Sequence, residues 1–401
     1  VVQEPQLHFL KVWIAPAVMC LAAAFSLLAP QVNARVPHSS VSAQIPSQDD
    51  IPIAMLVDLS SGQILHQHNA DRRFIPASIT KVMTTYLAFE LLDAGTIRRT
   101  QRFPVQPQTF RDWRGVGSTM FLGADAEPTV NELLRGITTV SANDASVVLA
   151  EGAAGSVAEW TAMMNATARE LGMENSHFGT PNGWPDEGKT FVTARDLTIL
   201  AQAMILRHSD LYSQFVGKPE YEFGGIKQPN HDPLLGNLRG ADGIKTGFTN
   251  EAGYGFLGSA KRDGIRLVMV VAGADRASIR NRAARSYMEW GFTQFDRKLL
   301  FAKNEVVANA RVQVGNAQSV GLISTRDIYA TMPKSVTADI SVRLHYTGPI
   351  RAPIMAGEEA GYLEVSVDGM PTIKVPLVAQ TSVERAGPIS RIANGLAGWF
   401  W

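Results

Sequence analysis

Near Phe295 the chain changes character, and this change limits what it can fold into more than any other feature. Upstream, segments with apolar residues at helical spacing alternate with β-branched runs. From Val306 to Val383 the helical pattern vanishes and short alternating strands replace it. They are clearest in Ser341–Tyr346, in Tyr362–Val367 and, after the Asp368-Gly369 turn, in Thr372–Leu377. A chain of 401 residues also exceeds what a single hydrophobic core usually holds. Two domains are therefore expected: an α/β domain over residues 51–295 and an all-β, sandwich-like domain over 296–385.

The ends read differently. Val12 to Ala29 is almost continuously apolar behind Lys11, and Val32-Asn33-Ala34 offers a signal-peptidase site, so residues 1–34 read as a secretory signal peptide. A retained membrane helix is the alternative, because the run is just long enough to span. Residues 35–50, rich in Pro, Ser, Gln and Asn, read as a flexible leader. At the other end, Ile389, Ile392, Leu396 and Trp399 recur at helical spacing within 386–401. That aromatic tail is expected to anchor the protein at the cytoplasmic membrane surface, with docking on the protein's own core as the alternative. These features place the body of the chain in the periplasm, on the outer face of the inner membrane.

Composition removes other classes. Lys plus Arg and Asp plus Glu both number 37, which leaves no basic excess for nucleic acid. The single cysteine, Cys20, lies in the expected signal peptide. The mature chain would then have no thiol for catalysis, disulfides or zinc. His66 and His68 share one strand face, but no third ligand is evident, and an exposed hairpin is the simpler reading; no metal or cofactor is expected.

Within the first domain, Ile53–Asp58 and Gln63–His66 read as strands around the turn Leu59–Gly62. A helical run follows from Pro76 to about Leu92. Thr129 and Glu132 have capping-box spacing before a further helix. Helices are also expected over Val157–Leu171, from Thr193 to Leu206 and from Ala277 to Trp290. Strands are expected at Ile244–Thr246, Tyr254–Ala260 and Arg266–Ala272.

Three short segments carry the chemistry. Ser78 and Lys81 stand one helical turn apart on one face. A serine hydroxyl needs a nearby base to become a nucleophile. A lysine can be that base when burial or a neighbouring cation depresses its pKa. Ser141-Ala142-Asn143 lies between two helices, and Lys245-Thr246-Gly247 begins a strand. Singly, each has a bland reading: helix caps for the serines and Asn143, a surface lysine for Lys245. In this order they are far more specific.

S-x-x-K, S-x-N and K-T-G in succession resemble the penicillin-recognising serine D,D-peptidases. Arg73–Thr84 and Asp242–Tyr254 resemble the nucleophile and third-motif segments of the low-molecular-mass D-alanyl-D-alanine carboxypeptidases that trim peptidoglycan. The resemblance implies an antiparallel sheet flanked by helices, of the β-lactamase and transpeptidase type. It also implies peptidoglycan stem peptides as substrates and β-lactams as covalent inhibitors. Ser78 would be the nucleophile, Lys81 its base, Ser141 a proton relay and Asn143 an orienting amide. Lys245 and Thr246 would recognise the terminal carboxylate. Gly247 would leave room for the substrate backbone, and the backbone N–H groups of Ser78 and Phe248 would form the oxyanion hole.

The chain departs from the family pattern in three places. Phe248 stands where many relatives carry His, and Ala142 where Gly is common. The family's N-x-N-x-L-L segment appears as Asn230-His231-Asp232-Pro233-Leu234-Leu235. Other readings on the same fold are a D,D-endopeptidase and a β-lactamase, although no E-x-x-L-N segment lies between Asn143 and Lys245. A non-catalytic peptidoglycan-binding protein is the alternative outside enzymology.

Overall fold

The computed structural model describes residues 45, 47–335 and 337–387. The expected signal peptide, and the expected membrane-anchoring helix from residue 388 onward, lie outside them. Among the described residues no helix is long and apolar enough to cross a membrane.

Strands β1 (Ile53–Asp58) and β2 (Gln63–His68) form a hairpin. A 3-10 turn, Ala77–Thr80, leads into helix α1 (Lys81–Asp93). Helices α2 (Pro107–Trp113), α3 (Val130–Thr139), α4 (Asn143–Ala154), α5 (Val157–Glu170), α6 (Ala194–Arg207) and α7 (Ser209–Phe215) follow. A small hairpin, β3 (Glu220–Phe223) and β4 (Ile226–Pro229), precedes the long strands β5 (Ala241–Thr249), β6 (Gly253–Arg262) and β7 (Ile265–Ala274). Helix α8 (Ala277–Thr293) closes the α/β part.

The main sheet runs β2-β1-β7-β6-β5, all antiparallel. Alternation along β1 and β7 explains why helices cover both faces. Ile53, Met55, Val57, Val268 and Val270 point into one core with Met83, Phe89, Leu134 and Trp160. Ala54, Leu56, Leu267, Met269 and Val271 point the other way, against Ala284, Tyr287 and Met288 of α8. A sheet buried on both faces reads as a nearly continuous apolar run, which is how β1 and β7 read.

The expected caps form. Thr129 and Glu132 complete a reciprocal capping box on α3, and the Thr193 side chain accepts from the Asp196 N–H at the start of α6. Each such cap typically contributes about 1 kcal/mol. Helix α1 runs through the interior for most of its length. Every residue from Lys81 to Phe89 is buried, because other helices and the sheet surround it. This helix therefore carries Lys81 out of water.

One reading needs correction. His66 is not on an open hairpin face: its ring lies 5.2 Å from that of Tyr287 and 6.4 Å from that of Trp290. Helix α8 packs over this part of β2, and burial, then the neighbouring His68, pushes the His66 pKa down.

Beyond Phe295 the chain is β-rich, as its alternation requires. Strands β8 (Phe295–Phe301), β9 (Val306–Gln313), β10 (Ser319–Ile323), β11 (Ile328–Pro333), β12 (Ile340–His345), β13 (Ile350–Arg351), β14 (Glu359–Val367) and β15 (Ile373–Ala379) follow. Six of them form a sheet in the order β12-β14-β15-β10-β9-β13, while β8 pairs with β11. Ile328 and Ala330 of β11 pack into one core with Leu322, Val365 and Leu377 of the larger sheet. The β8–β11 pair also grips the first hairpin. Arg297 Nε lies 2.6 Å from Asp58 Oδ2, with both side chains almost wholly buried, and Thr331 Oγ1 donates to the same carboxylate oxygen at 3.0 Å. An ion pair removed from water needs such added hydrogen bonds to offset its desolvation.

Candidate active site

Ser78 sits in the 3-10 turn and Lys81 is the first residue of α1. Ala77, just before the nucleophile candidate, has φ +48°, a region where a non-glycine residue is strained. Two close approaches hold it there. A Cβ added to Gly183 would lie 1.8 Å from the Ala77 carbonyl oxygen, so only glycine lets the Asn182–Trp184 loop close over the turn. A Cβ on Gly247 would lie 2.4 Å from the Pro76 carbonyl oxygen. The glycine of K-T-G thus lets β5 abut the nucleophile turn, a packing role beside its place in the cleft lining.

Lys81 Nζ is fully buried and lies 2.8 Å from Ser78 Oγ, 2.8 Å from Asn143 Oδ1 and 2.7 Å from the Asn182 carbonyl oxygen. Burial first, and the nearby Lys245 charge second, hold its pKa well below the ordinary lysine value; Asp144 opposes them. A neutral amine has two N–H groups and one lone pair. Asn143 Oδ1 and the Asn182 carbonyl can only accept, so they take both hydrogens and the lone pair is left facing the Ser78 hydroxyl. The orientation of the Asn143 amide is itself set, because its Nδ2 donates to the Val116 carbonyl at 3.0 Å.

Ser141 and Asn143 come from the joint between α3 and α4. Ser141 has φ +64°, a second strained residue at the site. Asn143 does not cap α4; Ala142 occupies the N-cap position and the Asn143 side chain is directed to Lys81 instead. Asp144 beside it accepts from the Met120 and Leu122 N–H groups at 3.0 and 3.2 Å, which pins the cleft-side loop containing Gly117 and Ser118. Burial raises its pKa, against the pull of these N–H donors.

Lys245, Thr246, Gly247 and Phe248 lie on β5, the edge strand of the main sheet. Its unpaired edge is a template on which an extended peptide can add. Lys245 is buried, and its Nζ donates to the Thr246 carbonyl at 3.0 Å. Burial, then the Arg280 charge, pushes its pKa down to about 7, while Asp232 pulls it up. Phe248 is half exposed and stacks on Tyr254 at 4.1 Å.

All of these elements meet at one cleft of about 750 Å³. Ser78, Ser141, Asn143, Thr246, Gly247 and Phe248 line it, and the buried Lys81 and Lys245 stand behind its wall. Trp184 lines the cleft too, edge-on to Trp113 at 5.8 Å. Sequence reasoning missed Arg280. It sits on α8 but reaches across to donate to the Gly255 carbonyl at 3.1 Å and to line the cleft beside Thr246. A guanidinium there presents a planar donor fork to a carboxylate. Its one sequence signal was position: it is the arginine that falls on the buried stripe of α8, with Ala283, Ala284 and Tyr287.

Known proteins share this arrangement. Residues 40–276 match the family model described as D-alanyl-D-alanine carboxypeptidase, and residues 295–385 match the C-terminal domain of penicillin-binding protein 5. The chain is 32% identical to D-alanyl-D-alanine carboxypeptidase DacF of Bacillus subtilis over 353 residues, 86% of this chain and 89% of the relative. It is 31% identical to DacA of Escherichia coli K12, over 88% and 89% of the two chains. Penicillin-binding protein 5 from Haemophilus influenzae superposes with a TM-score of 0.74 at 31% identity, over 85% of this chain and 99% of that one. Penicillin-binding protein D2 from Listeria monocytogenes, in an ampicillin-bound form, does so with 0.56 at 30% identity, over 61% and 98%. The cleft, its three motifs and the β-rich domain behind them have one explanation: this chain belongs to the D-alanyl-D-alanine carboxypeptidase family of penicillin-binding proteins.

Proposed function

We propose that the protein is a serine-type D,D-carboxypeptidase that removes the terminal D-alanine from peptidoglycan pentapeptide stems through an acyl-enzyme on Ser78. The observation that carries this reading is the buried Lys81 amine, 2.8 Å from Ser78 Oγ, with its two other polar neighbours able only to accept. Ser78 Oγ attacks the carbonyl carbon of the penultimate D-alanine as its proton passes to Lys81 Nζ. The oxyanion is held by the N–H groups of Ser78 and Phe248, each donor contributing about 3 kcal/mol. The proton then returns through Ser141 to the departing amine, and free D-alanine leaves. Water, giving its proton to Lys81, attacks the ester and restores the serine.

Arg280 and Thr246, with the Lys245 charge behind them, suit a free terminal carboxylate. The family and the relatives, described as D-alanyl-D-alanine carboxypeptidases, support this reading over an endopeptidase. The ampicillin-bound relative supports β-lactams as covalent inhibitors here: the same attack opens the lactam ring and leaves the amine tethered in the cleft. Export, and anchoring to the membrane surface by the C-terminal tail, belong to the same proposal and rest on sequence pattern alone.

Incubation with a pentapeptide ending in D-Ala-D-Ala is expected to release one equivalent of D-alanine. The same peptide with an amidated C-terminus should be cleaved at least 100-fold less efficiently in kcat/KM, because leaving a buried cation unpaired costs about 3 kcal/mol or more. Equal cleavage of both peptides would overturn the carboxylate requirement.

A further inference from the structure

Asp232 occupies the substituted position of the Asn230–Leu235 segment, and its two oxygens have different fates. Oδ1 accepts from the Leu234 and Leu235 N–H groups at 2.7 and 3.3 Å, a local cap that an asparagine oxygen would make equally well. Oδ2 is buried and has no hydrogen-bond partner among the described residues. An unpaired buried carboxylate oxygen is costly unless a charge nearby compensates it. The charges that act on it are Arg280 on α8 and Lys245 on β5, the two cations behind and beside Thr246. His231, the adjacent residue, lines the cleft; burial first, then the Lys245 and Arg280 charges, push its pKa down, which disfavours a third positive charge there. Tyr254 on β6 lines the same cleft, next to Gly255, whose carbonyl Arg280 holds. The remaining ionisable group at this end, Glu251, is exposed to solvent.

We propose that Asp232 is a positioning residue for the carboxypeptidase reaction: a buried counter-charge that keeps Lys245 protonated for the substrate's terminal carboxylate. Left with Arg280 alone, Lys245 would face desolvation and a like charge together, and would give up its proton. Its positive charge would then have to be restored at each binding event, which makes substrate capture increasingly unfavourable as pH rises. With Asp232 ionised nearby, a larger fraction of Lys245 is charged before the substrate arrives.

The direction can be checked against the groups themselves. Burial raises the Asp232 pKa to about 6, and Lys245 is pushed down to about 7. Above about pH 6 the carboxylate is ionised and supports the lysine. Below it Asp232 is neutral, but there Lys245 holds its proton unaided. The residue therefore matters between about pH 6 and 8 and not at pH 5.5.

The test is Asp232→Asn, which keeps the Oδ1 cap and removes only the charge. It rests on the carboxypeptidase reading, so D-alanine release by the unaltered protein is measured first; its absence would overturn that reading and leave the counter-charge without a substrate. In the variant, KM for the pentapeptide is expected to match that of the unaltered protein at pH 5.5 and to be roughly ten-fold higher at pH 7.5. The pH at which KM begins to climb should move down by about one unit, with kcat at saturation unchanged within about three-fold. Asp232→Ala, which also loses the cap, should show the same pH-dependent rise with an added pH-independent loss of thermal stability. A KM that changes equally at both pH values, or not at all, would overturn the proposal.

Discussion

With alanine at position 78, no radioactive or fluorescent penicillin is expected to remain bound to the denatured protein, and D-alanine release should fall by a factor of roughly 10⁴ or more. The fold should survive the change. Ser78 sits in a turn held by backbone contacts, including the Ile79 N–H to the Pro76 carbonyl at 3.1 Å and the approaches of Gly183 and Gly247. The variant should therefore unfold within a few degrees of the unaltered protein and still bind the pentapeptide reversibly, because Thr246, Lys245 and Arg280 are untouched. Covalent labelling that persisted in Ser78→Ala would move the nucleophile elsewhere in the cleft. Loss of labelling together with loss of reversible binding would mean that the turn itself had collapsed, and a Ser78→Cys protein, with a nucleophile of similar size, would then separate the two causes.

Much of this site was legible before any coordinates because chemistry confines it to short local motifs. Ser78 and Lys81 are three residues apart, Ser141 and Asn143 two, and Lys245 to Phe248 consecutive. Each motif fixes its own geometry through one helical turn, one loop or one strand. Arg280 is different. Helix α8 carries Arg280, Arg282 and Arg285 after its N-cap Arg276, and arginines on an amphipathic helix ordinarily read as solvated. Which arginine reaches the cleft depends on how the helix sits on β6, and that is decided by packing on the Leu267–Met269–Val271 face of the sheet. The packing role of Gly247 was hidden for the same reason: its close neighbour, the Pro76 carbonyl, is remote in sequence.

The fold divides along the same line. Long strands and capped helices were visible from period and cap chemistry, whereas α2, α7 and the β3–β4 hairpin were not. Helix α7 spans only seven residues, and the hairpin strands four each. Segments this short cannot hold themselves in water. They are ordered by contacts such as Gln228 Nε2 to the Thr119 carbonyl at 3.0 Å and Thr138 Oγ1 to the Phe215 carbonyl at 2.9 Å.

Lys81 supports the second large prediction, and it separates the base from mere packing. Lys81→Arg preserves a long cation but cannot lose its proton at any accessible pH. Lys81→Met preserves bulk without charge. Both are expected to acylate with penicillin at roughly 10⁻³ of the normal rate or less. An arginine variant that acylates normally would remove Lys81 from the proton path. The methionine variant carries a further signature, which follows from the sign of the lysine's own shift. Its folded pKa is depressed, so between that value and the ordinary lysine range the unfolded chain binds a proton that the folded protein does not. Burying Lys81 therefore destabilises the fold fully at low pH, and progressively less as pH climbs towards 10. Methionine has no such dependence. The melting temperature of Lys81→Met relative to the unaltered protein should accordingly be highest near pH 6 and should fall steadily as pH is raised. The offset at any one pH also includes the Asn143 and Asn182 acceptors left without their donor, about 1 kcal/mol each. That loss is common to every pH and leaves the slope intact. A difference that stayed flat from pH 6 to 10 would mean that Lys81 folds with its proton on, and would take away the neutral amine on which activation of Ser78 depends.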